Sequence, residues 1–418
     1  RLAPLASLTQ QGVTALAHLL ALCGGMVMHC GGACLSVTLP PAPPAAKDLT
    51  VDALDLPLDR VIGYEEWQHI ARQLMQVPGL DVYPAGTTFY GRTIYAVEPA
   101  CPLPGYVSTV KRLLRGPSLL IGGRHHANEV SASNALAQLI QSLAGEPQAR
   151  ALADEMILTL IPMENADGAA LLDELRREHP GWAHHSCYTP PLGRDLYAMY
   201  FQDGQINADG QAFSGIYRRV LPDVFIDVHG VPAHDWQHQF ASLRGYKGLW
   251  LPRALICGFY WYCSDSRYTD NFRLNRAWAD SVSRAYFSHP ELQALNGQWR
   301  ERFDKYAYNG FNTDFPCAFE NKMLNYWIPN PYHPRHPYLS VRFPWITSVS
   351  FTSEAADEGA AGEPLRHCAL AQFCHIRAGI DFCRQAGLLY HRSIERTDDG
   401  LRAVLVRLRP LLPPANTP

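Results

Sequence analysis

The chain has 418 residues, of which 47% are hydrophobic, 11% aromatic and 18% charged. This length favours one large domain with an accessory segment, or two domains, and the apolar content excludes a disordered or fibrous chain. The 36 basic and 39 acidic residues give a formal net charge of −3. Because there is no large positive field and no block of Lys and Arg, we expect neither a nucleic-acid partner nor a membrane partner.

Eleven cysteines are scattered along the chain without CxxC spacing. Their odd number and irregular spacing favour free thiols in a reducing compartment over a disulfide framework. The sequence therefore predicts a cytoplasmic location.

The N-terminal region differs in composition from the rest, because residues 2–46 contain no Lys, Arg, Asp or Glu. Its longest uninterrupted apolar run, Leu19–Cys23, is far shorter than the roughly 20 residues of a membrane-spanning helix. A Pro-rich linker at residues 40–44 closes the region. We interpret residues 1–54 as a small, strand-rich accessory segment.

After the linker, apolar periodicity predicts a helix over Tyr64–Gln76, and the stretch Thr87–Val97 predicts two short strands around a Gly turn. Short apolar strands then alternate with helices. The predicted strands are Ser118–Gly122, Met156–Pro162, Asp223–Val228 and Trp345–Thr352, and the later helices are Ser131–Leu143 and Leu365–Gln385. This alternation predicts an α/β fold, with a mixed, mostly parallel sheet and helices on both faces, over residues 55–395. Residues 396–418 form the predicted C-terminal tail.

Residues that can bind a metal or act on a metal-activated water follow three of these strands. His126 and Glu129 form an H-x-x-E pair after the first strand, and His229 follows the third. Because functional residues collect beyond the carboxyl ends of strands in α/β sheets, these side chains are expected to meet. Two imidazoles, one carboxylate and an open fourth position are typical of catalytic zinc, so we predict one zinc ion per chain.

Glu354 follows the predicted fourth strand, which places a carboxylate where it can act on a zinc-activated water. Glu358, four residues further on, is the alternative for this role. His125 is expected to point away from the site, since the H-x-x-E spacing fits His126. Asp227, on the same strand face as His229, either supports that ligand or has a structural role.

Several motifs together resemble the zinc metallocarboxypeptidases of the carboxypeptidase A type, from about Tyr64 to about Gly387. The residues that carry the resemblance are Tyr64, Gly91, Arg92, Tyr95, the segment His126-Ala127-Asn128-Glu129, the turn Asn165-Ala166-Asp167-Gly168, the segment Asp227-Val228-His229-Gly230 and Glu354. The resemblance implies that His126, Glu129 and His229 are zinc ligands and that Glu354 is the general base. Asn165, in the matched turn, is a substrate-binding candidate.

One departure from the family concerns the arginine that grips the substrate carboxylate. Family members carry an Asn-Arg pair before the last ligand histidine, whereas the nearest equivalent here is Gly193-Arg194. Arg194 is therefore the candidate for catalysis and carboxylate binding, and the choice between Arg176 and Arg177 for oxyanion stabilisation stays open.

The function predicted from these features is zinc-dependent hydrolysis of a peptide or amide bond, most simply by a metallocarboxypeptidase acting on peptides. Two alternatives remain. The first is a zinc-dependent deacylase or amidase acting on a small acylated amine or modified amino acid, which the missing Asn favours. The second is a carboxypeptidase-like binding module without activity.

Overall fold

The computed structural model describes residues 25–30, 33–38, 49–100, 109–145, 147–232, 256–306, 317–398 and 400–415. Most of the predicted accessory segment lies outside these residues. Within it, strands β1 (Gly25–Cys30) and β2 (Ala33–Thr38) pair antiparallel as a two-stranded sheet.

A nine-stranded mixed sheet forms the centre of the described chain. Its strands are β3 (Leu80–Thr87), β4 (Thr93–Pro99), β5 (Ser118–Gly123), β6 (Ile157–Ile161), β7 (Val224–Pro232), β8 (Ile256–Cys263), β9 (Cys317–Glu320), β10 (Met323–Asn330) and β11 (Val349–Glu358). Their order across the sheet is β3-β4-β6-β5-β7-β11-β8-β10-β9. The adjacent strands β6, β5, β7 and β11 run parallel, so their carboxyl ends meet at one edge of the sheet.

Helices cover this sheet. They are α1 (Tyr64–Leu74), α2 (Thr109–Arg115), α3 (Ser131–Gly145), α4 (Pro147–Glu155), α5 (Ala166–Glu178), α6 (Leu196–Met199), α7 (Ala208–Val220), α8 (Thr269–Phe287), α9 (Pro290–Tyr306), α10 (Leu339–Arg342) and α11 (Glu363–Gln385). The long helix α11 packs against α3, α8 and β11. Every residue of β5 is buried, as expected for a central strand that is covered on both faces. The predicted α/β fold class is confirmed.

The predicted fourth strand is displaced in the structure. Residues 343–347 form a turn, in which the N–H groups of Ile346 and Thr347 both donate to the carbonyl of Phe343. Strand β11 therefore begins at Val349, and it continues to Glu358 with an irregularity of register after Ala355. The prediction that Glu354 follows this strand is wrong, because Glu354 lies within it.

Two features of the fold have no counterpart in the sequence-based prediction. Strands β8, β9 and β10 extend the sheet beyond β11 and come from an aromatic-rich part of the chain. A hairpin of β12 (Gly387–Thr397) and β13 (Gly400–Leu412) follows α11 and crosses the expected boundary between residues 395 and 396. Among the described residues, no helix combines the length and the apolarity that a membrane crossing requires.

Candidate metal centre and active site

Two parallel strands deliver the predicted histidines to the same edge of the sheet. Strand β5 ends at Gly123, and the short segment that follows carries His126 and Glu129 into the start of α3. The N–H of Glu129 donates to the carbonyl of His126 at 3.2 Å, which closes this segment into a tight turn. His229 lies on the neighbouring strand β7. The topology thus brings His126 and Glu129 close to His229, although His126 and His229 lie 103 residues apart in the sequence.

The side chains of His126, Glu129 and His229 converge in the structure. Nδ1 of His126 lies 2.7 Å from Oε1 of Glu129, and Nδ1 of His229 lies 3.0 Å from Oε2 of the same carboxylate. The two Nδ1 atoms are 3.1 Å apart. All three residues are buried, with at most 5% of their surface exposed.

This donor set fits a zinc ion. Zinc bonds to nitrogen and oxygen at about 2.0–2.2 Å, so a tetrahedral ion holds its donors about 3.3 Å apart, and the donors here need only a small outward shift. Oε2 of Glu129 is buried and makes no well-formed hydrogen bond, although Nδ1 of His229 lies 3.0 Å away, so a bound cation would stabilise this oxygen. Burial alone raises the pKa of Glu129, but the charges of His126 and His229 lower it to about 2. A carboxylate between two imidazoles is a donor set that zinc accepts.

Each histidine also faces a carboxylate through its other ring nitrogen. Nε2 of His229 lies 3.1 Å from Oδ1 of Asp227, and Nε2 of His126 lies 3.5 Å from Oδ2 of Asp195. Such partners fix the imidazole orientation and keep each Nδ1 directed at the other two candidate ligands. Tyr197 adds a hydrogen bond from its hydroxyl to Oδ2 of Asp227, at 2.5 Å. The sequence flagged Asp227, but it did not single out Asp195 or Tyr197.

Glu354 lies beside the three converging side chains. In the register of β11 and β7 it is directly opposite His229, and opposite residues on neighbouring strands point to the same face. Burial, and then the negative charges of Glu129, Asp195 and Glu354, raise the pKa of Tyr188 well above its usual value. Glu354 is partly exposed, although its Oε2 is buried.

Glu358, the alternative general base, has a different environment. It is buried, and its Oε2 lies 3.1 Å from Nδ1 of His185, a histidine that is 45% exposed. A carboxylate engaged in this way is less suited to accept a proton from water than the partly exposed Glu354. The geometry therefore favours Glu354 over Glu358.

The expectation that His125 points away from the site is wrong. Its ring is fully buried, and the ring centroid lies 5.2 Å from that of His229 and 4.1 Å from that of Tyr197. Nε2 of His125 lies 3.3 Å from Oδ1 of Asp195. Burial alone lowers the pKa of His125, but hydrogen bonds and charges of neighbouring carboxylates, chiefly Asp195, raise it to about 9.

Arg194 and Asn165 both have partners within the protein. The guanidinium of Arg194 donates to Oδ1 of Asn207 at 2.7 Å and to the carbonyl of Ala198 at 2.9 Å. Binding of a substrate carboxylate would compete with these bonds. The side chain of Asn165 accepts from the N–H of Gly168 at 2.8 Å and so caps α5. Their roles in substrate binding remain predictions.

The arginines considered for the oxyanion lie in the last turn of α5. Burial lowers the pKa of Arg176, and the charge of Asp173 opposes that effect. The choice between Arg176 and Arg177 stays open.

Partly buried aromatic rings adjoin the converging side chains. Tyr188 stacks on His126 with ring centroids 3.4 Å apart, and Tyr197 lies 5.0 Å from Tyr338. Tyr338 in turn stacks on Trp261 at 3.7 Å. These rings are only partly buried, so they form a wall that a substrate can contact.

Comparison with known proteins adds an independent finding. Residues 68–218 match the family model described as zinc carboxypeptidase. A solved metallo-carboxypeptidase from Burkholderia cenocepacia is 17% identical, and the alignment covers 76% of this chain and 69% of that one, with a TM-score of 0.45. A structure of bovine thrombin-activatable fibrinolysis inhibitor in complex with tick carboxypeptidase inhibitor is 12% identical. The alignment covers 77% of this chain and 97% of that one, with a TM-score of 0.46. No curated protein matches the chain.

Residues 68–218 are therefore similar to the zinc carboxypeptidases, a family of metallopeptidases, and the resemblance seen in the sequence is confirmed over these residues. The matched part contains His126 and Glu129, whereas His229 and Glu354 lie beyond it. Their roles therefore depend on the geometry described above.

Proposed function

We propose that this protein is a zinc-dependent hydrolase of peptide or amide bonds, and that it acts as a metallocarboxypeptidase releasing a C-terminal residue. The observation that carries this proposal is the convergence of His126, Glu129 and His229, with Glu354 opposite His229 on the next strand. The match to the zinc carboxypeptidase family supports the same activity. The scattered cysteines support a reducing location such as the cytoplasm.

His126, Glu129 and His229 would hold the zinc ion. Bound zinc supplies Lewis acidity to the scissile carbonyl and to water. Glu354 accepts a proton from the attacking water and returns it to the leaving nitrogen, which makes the amine a better leaving group. Arg194 is the proposed anchor of the substrate carboxylate. An arginine, either Arg176 or Arg177, stabilises the developing oxyanion.

The partly exposed aromatic wall supports binding of a substrate beside the catalytic groups. Tyr188 and Tyr197 contact the candidate ligand histidines, and Tyr338 with Trp261 extends the wall outwards. Closely packed rings exclude water, which strengthens electrostatic interactions in the site. A peptide or a small acylated amino acid is the substrate class proposed.

A second function is favoured by the contacts of Arg194. Because its guanidinium already donates to Asn207 and Ala198, a free carboxylate is a less obvious requirement for the substrate. A zinc-dependent deacylase or amidase, acting on a small acylated amine or modified amino acid, would use the same zinc ligands and the same base.

Paired substrates test these two functions. The full-length protein is dialysed against a chelator, reloaded with one equivalent of zinc, and assayed on N-acylated dipeptides and on the same dipeptides as C-terminal amides. Zinc-dependent release of the last residue from the free acids alone supports the carboxypeptidase. Equal hydrolysis of the amides supports the amidase. No zinc-dependent hydrolysis across dipeptides and acylated amines supports a binding module and contradicts the proposal.

A further inference from the structure

His125 is the centre of a chain of buried hydrogen bonds under the candidate metal centre. Its Nδ1 lies 3.0 Å from the hydroxyl oxygen of Tyr200, and that hydroxyl donates to Oε2 of Glu164 at 2.7 Å. On its other side, Nε2 lies 3.3 Å from Oδ1 of Asp195. The imidazole thus connects a buried carboxylate with one at the edge of the site.

The direction of these hydrogen bonds follows from the available protons. A tyrosine hydroxyl has one hydrogen, and that of Tyr200 points to Glu164, so Nδ1 of His125 donates to the hydroxyl oxygen. Nε2 faces the carboxylate of Asp195, which only accepts. Both nitrogens of His125 therefore act as donors, and the chain runs from the ring to a carboxylate at each end.

The far end of this chain is fixed inside the protein. Glu164 is 3% exposed and follows β6, so it lies beside the end of β5. Its Oε1 occupies the space that a side chain at Gly122 would need, because a Cβ there would lie only 2.2 Å from this oxygen. The absence of a side chain at Gly122 thus allows the carboxylate to lie close to the strand.

The near end of the chain is the carboxylate that faces His126. Asp195 has 36% of its side chain exposed, so it needs donors to stay in one orientation. Oδ1 of Asp195 is held by two donors, the backbone N–H of Tyr197 at 2.8 Å and Nε2 of His125. This leaves Oδ2 directed at Nε2 of His126.

We infer that His125 is a positioning residue that holds Asp195 against Nε2 of His126, so that Nδ1 of His126 stays directed at the metal. The inference rests on the proposed function, because it assumes that His126 is a zinc ligand. Residues that orient metal-binding histidines typically change metal affinity about 10–100-fold when they are replaced. His125 has no direct place in the chemistry, since its two nitrogens are engaged on both sides.

The test measures zinc affinity of the full-length protein by competition with a chromophoric chelator. His125→Ala removes the donor to Asp195 and is expected to raise the zinc Kd about 10–100-fold. His125→Gln keeps an N–H that can reach Asp195 and is expected to restore most of the affinity. Tyr200→Phe keeps the ring but removes the hydroxyl that orients His125, and it is expected to raise the Kd by a smaller factor.

The matched control is His375→Gln. His375 is equally buried, but it lies on α11 and its Nδ1 contacts the carbonyl of Ala371, so its replacement leaves zinc affinity unchanged. Thermal unfolding of each apoprotein shows whether a variant folds. If His125→Ala fails to fold, the zinc affinity of Tyr200→Phe decides whether His125 positions Asp195. Unchanged zinc affinity in both His125→Ala and Tyr200→Phe would overturn this inference but leave the proposed function intact. Absence of stoichiometric zinc binding by the wild-type chain would overturn it together with the proposed function.

Discussion

Glu354 lies directly opposite His229 in the parallel register of β11 and β7, so a candidate base and a candidate zinc ligand share one face of the sheet. The pairing depends on strand register, because a shift by one residue would turn Glu354 to the other face. Helix α11 supports this arrangement, since Gln372 donates to the carbonyl of His229 and also accepts from the hydroxyl of Ser353.

Glu354→Gln is expected to lower kcat by at least about 10²-fold while zinc content and KM stay near those of the wild type. The amide cannot accept the proton of the attacking water, whereas the zinc ligands are untouched. Steady-state kinetics on a substrate that the wild type hydrolyses, with metal analysis of the same sample, measures this. Glu358→Gln is the control and should retain activity, because Glu358 is paired with His185. The opposite pattern would identify Glu358 as the base.

Arg194→Ala is expected to raise KM for free-acid substrates. The loss of binding free energy should be roughly 1.5–3 kcal/mol, the contribution of a hydrogen bond to a charged group. The amidated form of each substrate serves as the control, because it has no carboxylate for the guanidinium to bind. Equal losses on both forms would show that Arg194 acts through its bonds to Asn207 and Ala198, as a structural residue.

The part of the site on strands β5 and β7 could be predicted from sequence, because apolar strands followed by His126, Glu129 and His229 are a local signal. Glu164 could have been found in the same way, since it follows the neighbouring strand β6. Asp195 could not, because it follows no strand: it reaches His126 from the start of α6, and only the tertiary fold brings it there.

The errors of the fold prediction also have physical reasons. The apolar run from Trp345 to Thr352 has the composition of a strand, but its first residues form a turn next to Pro344. Most residues of β8 are buried, so both faces of this strand are apolar. Its sequence therefore lacks the alternation of apolar and polar residues by which a half-buried strand is recognised. The role of His125 was missed because sequence spacing cannot show which of two adjacent histidines has a buried carboxylate within reach.

The buried carboxyl group of Asp209 predicts a pH dependence of stability. Burial, and also the charge of Asp167, raise its pKa to about 6, while the N–H of Phe89 donates to it and opposes that shift. Because the folded protein holds this proton more tightly than the unfolded chain, the contribution of Asp209 to stability falls as pH rises from about 4 to about 6.

Asp209→Asn is therefore expected to be more stable, relative to the wild type, at pH 7 than at pH 4. Urea unfolding at both pH values measures the two differences in free energy. A pH-independent effect of Asp209→Asn would show that the carboxyl group is not strained by burial.

Gly122→Ala is expected to lower the free energy of unfolding by about 1–3 kcal/mol, the usual cost of overpacking. The new Cβ would lie 2.2 Å from Oε1 of Glu164, and the carboxylate must move to make room. Gly215→Ala is the matched control, because nothing lies within 4 Å of its Cβ position on α7, and a helical Ala is more stable than Gly. Equal stability of Gly122→Ala and wild type would contradict the close packing of Glu164.

Zinc stoichiometry tests the central claim most directly. Metal analysis of the purified full-length protein, after chelation and reloading, is compared for the wild type, His126→Ala, Glu129→Gln, His229→Ala and the buried control His375→Gln. The account predicts one zinc ion per chain in the wild type and the control, and loss of stoichiometric zinc in the other three. One tightly bound zinc ion per chain in His229→Ala would contradict it, because the site would then not depend on the residue that β7 supplies.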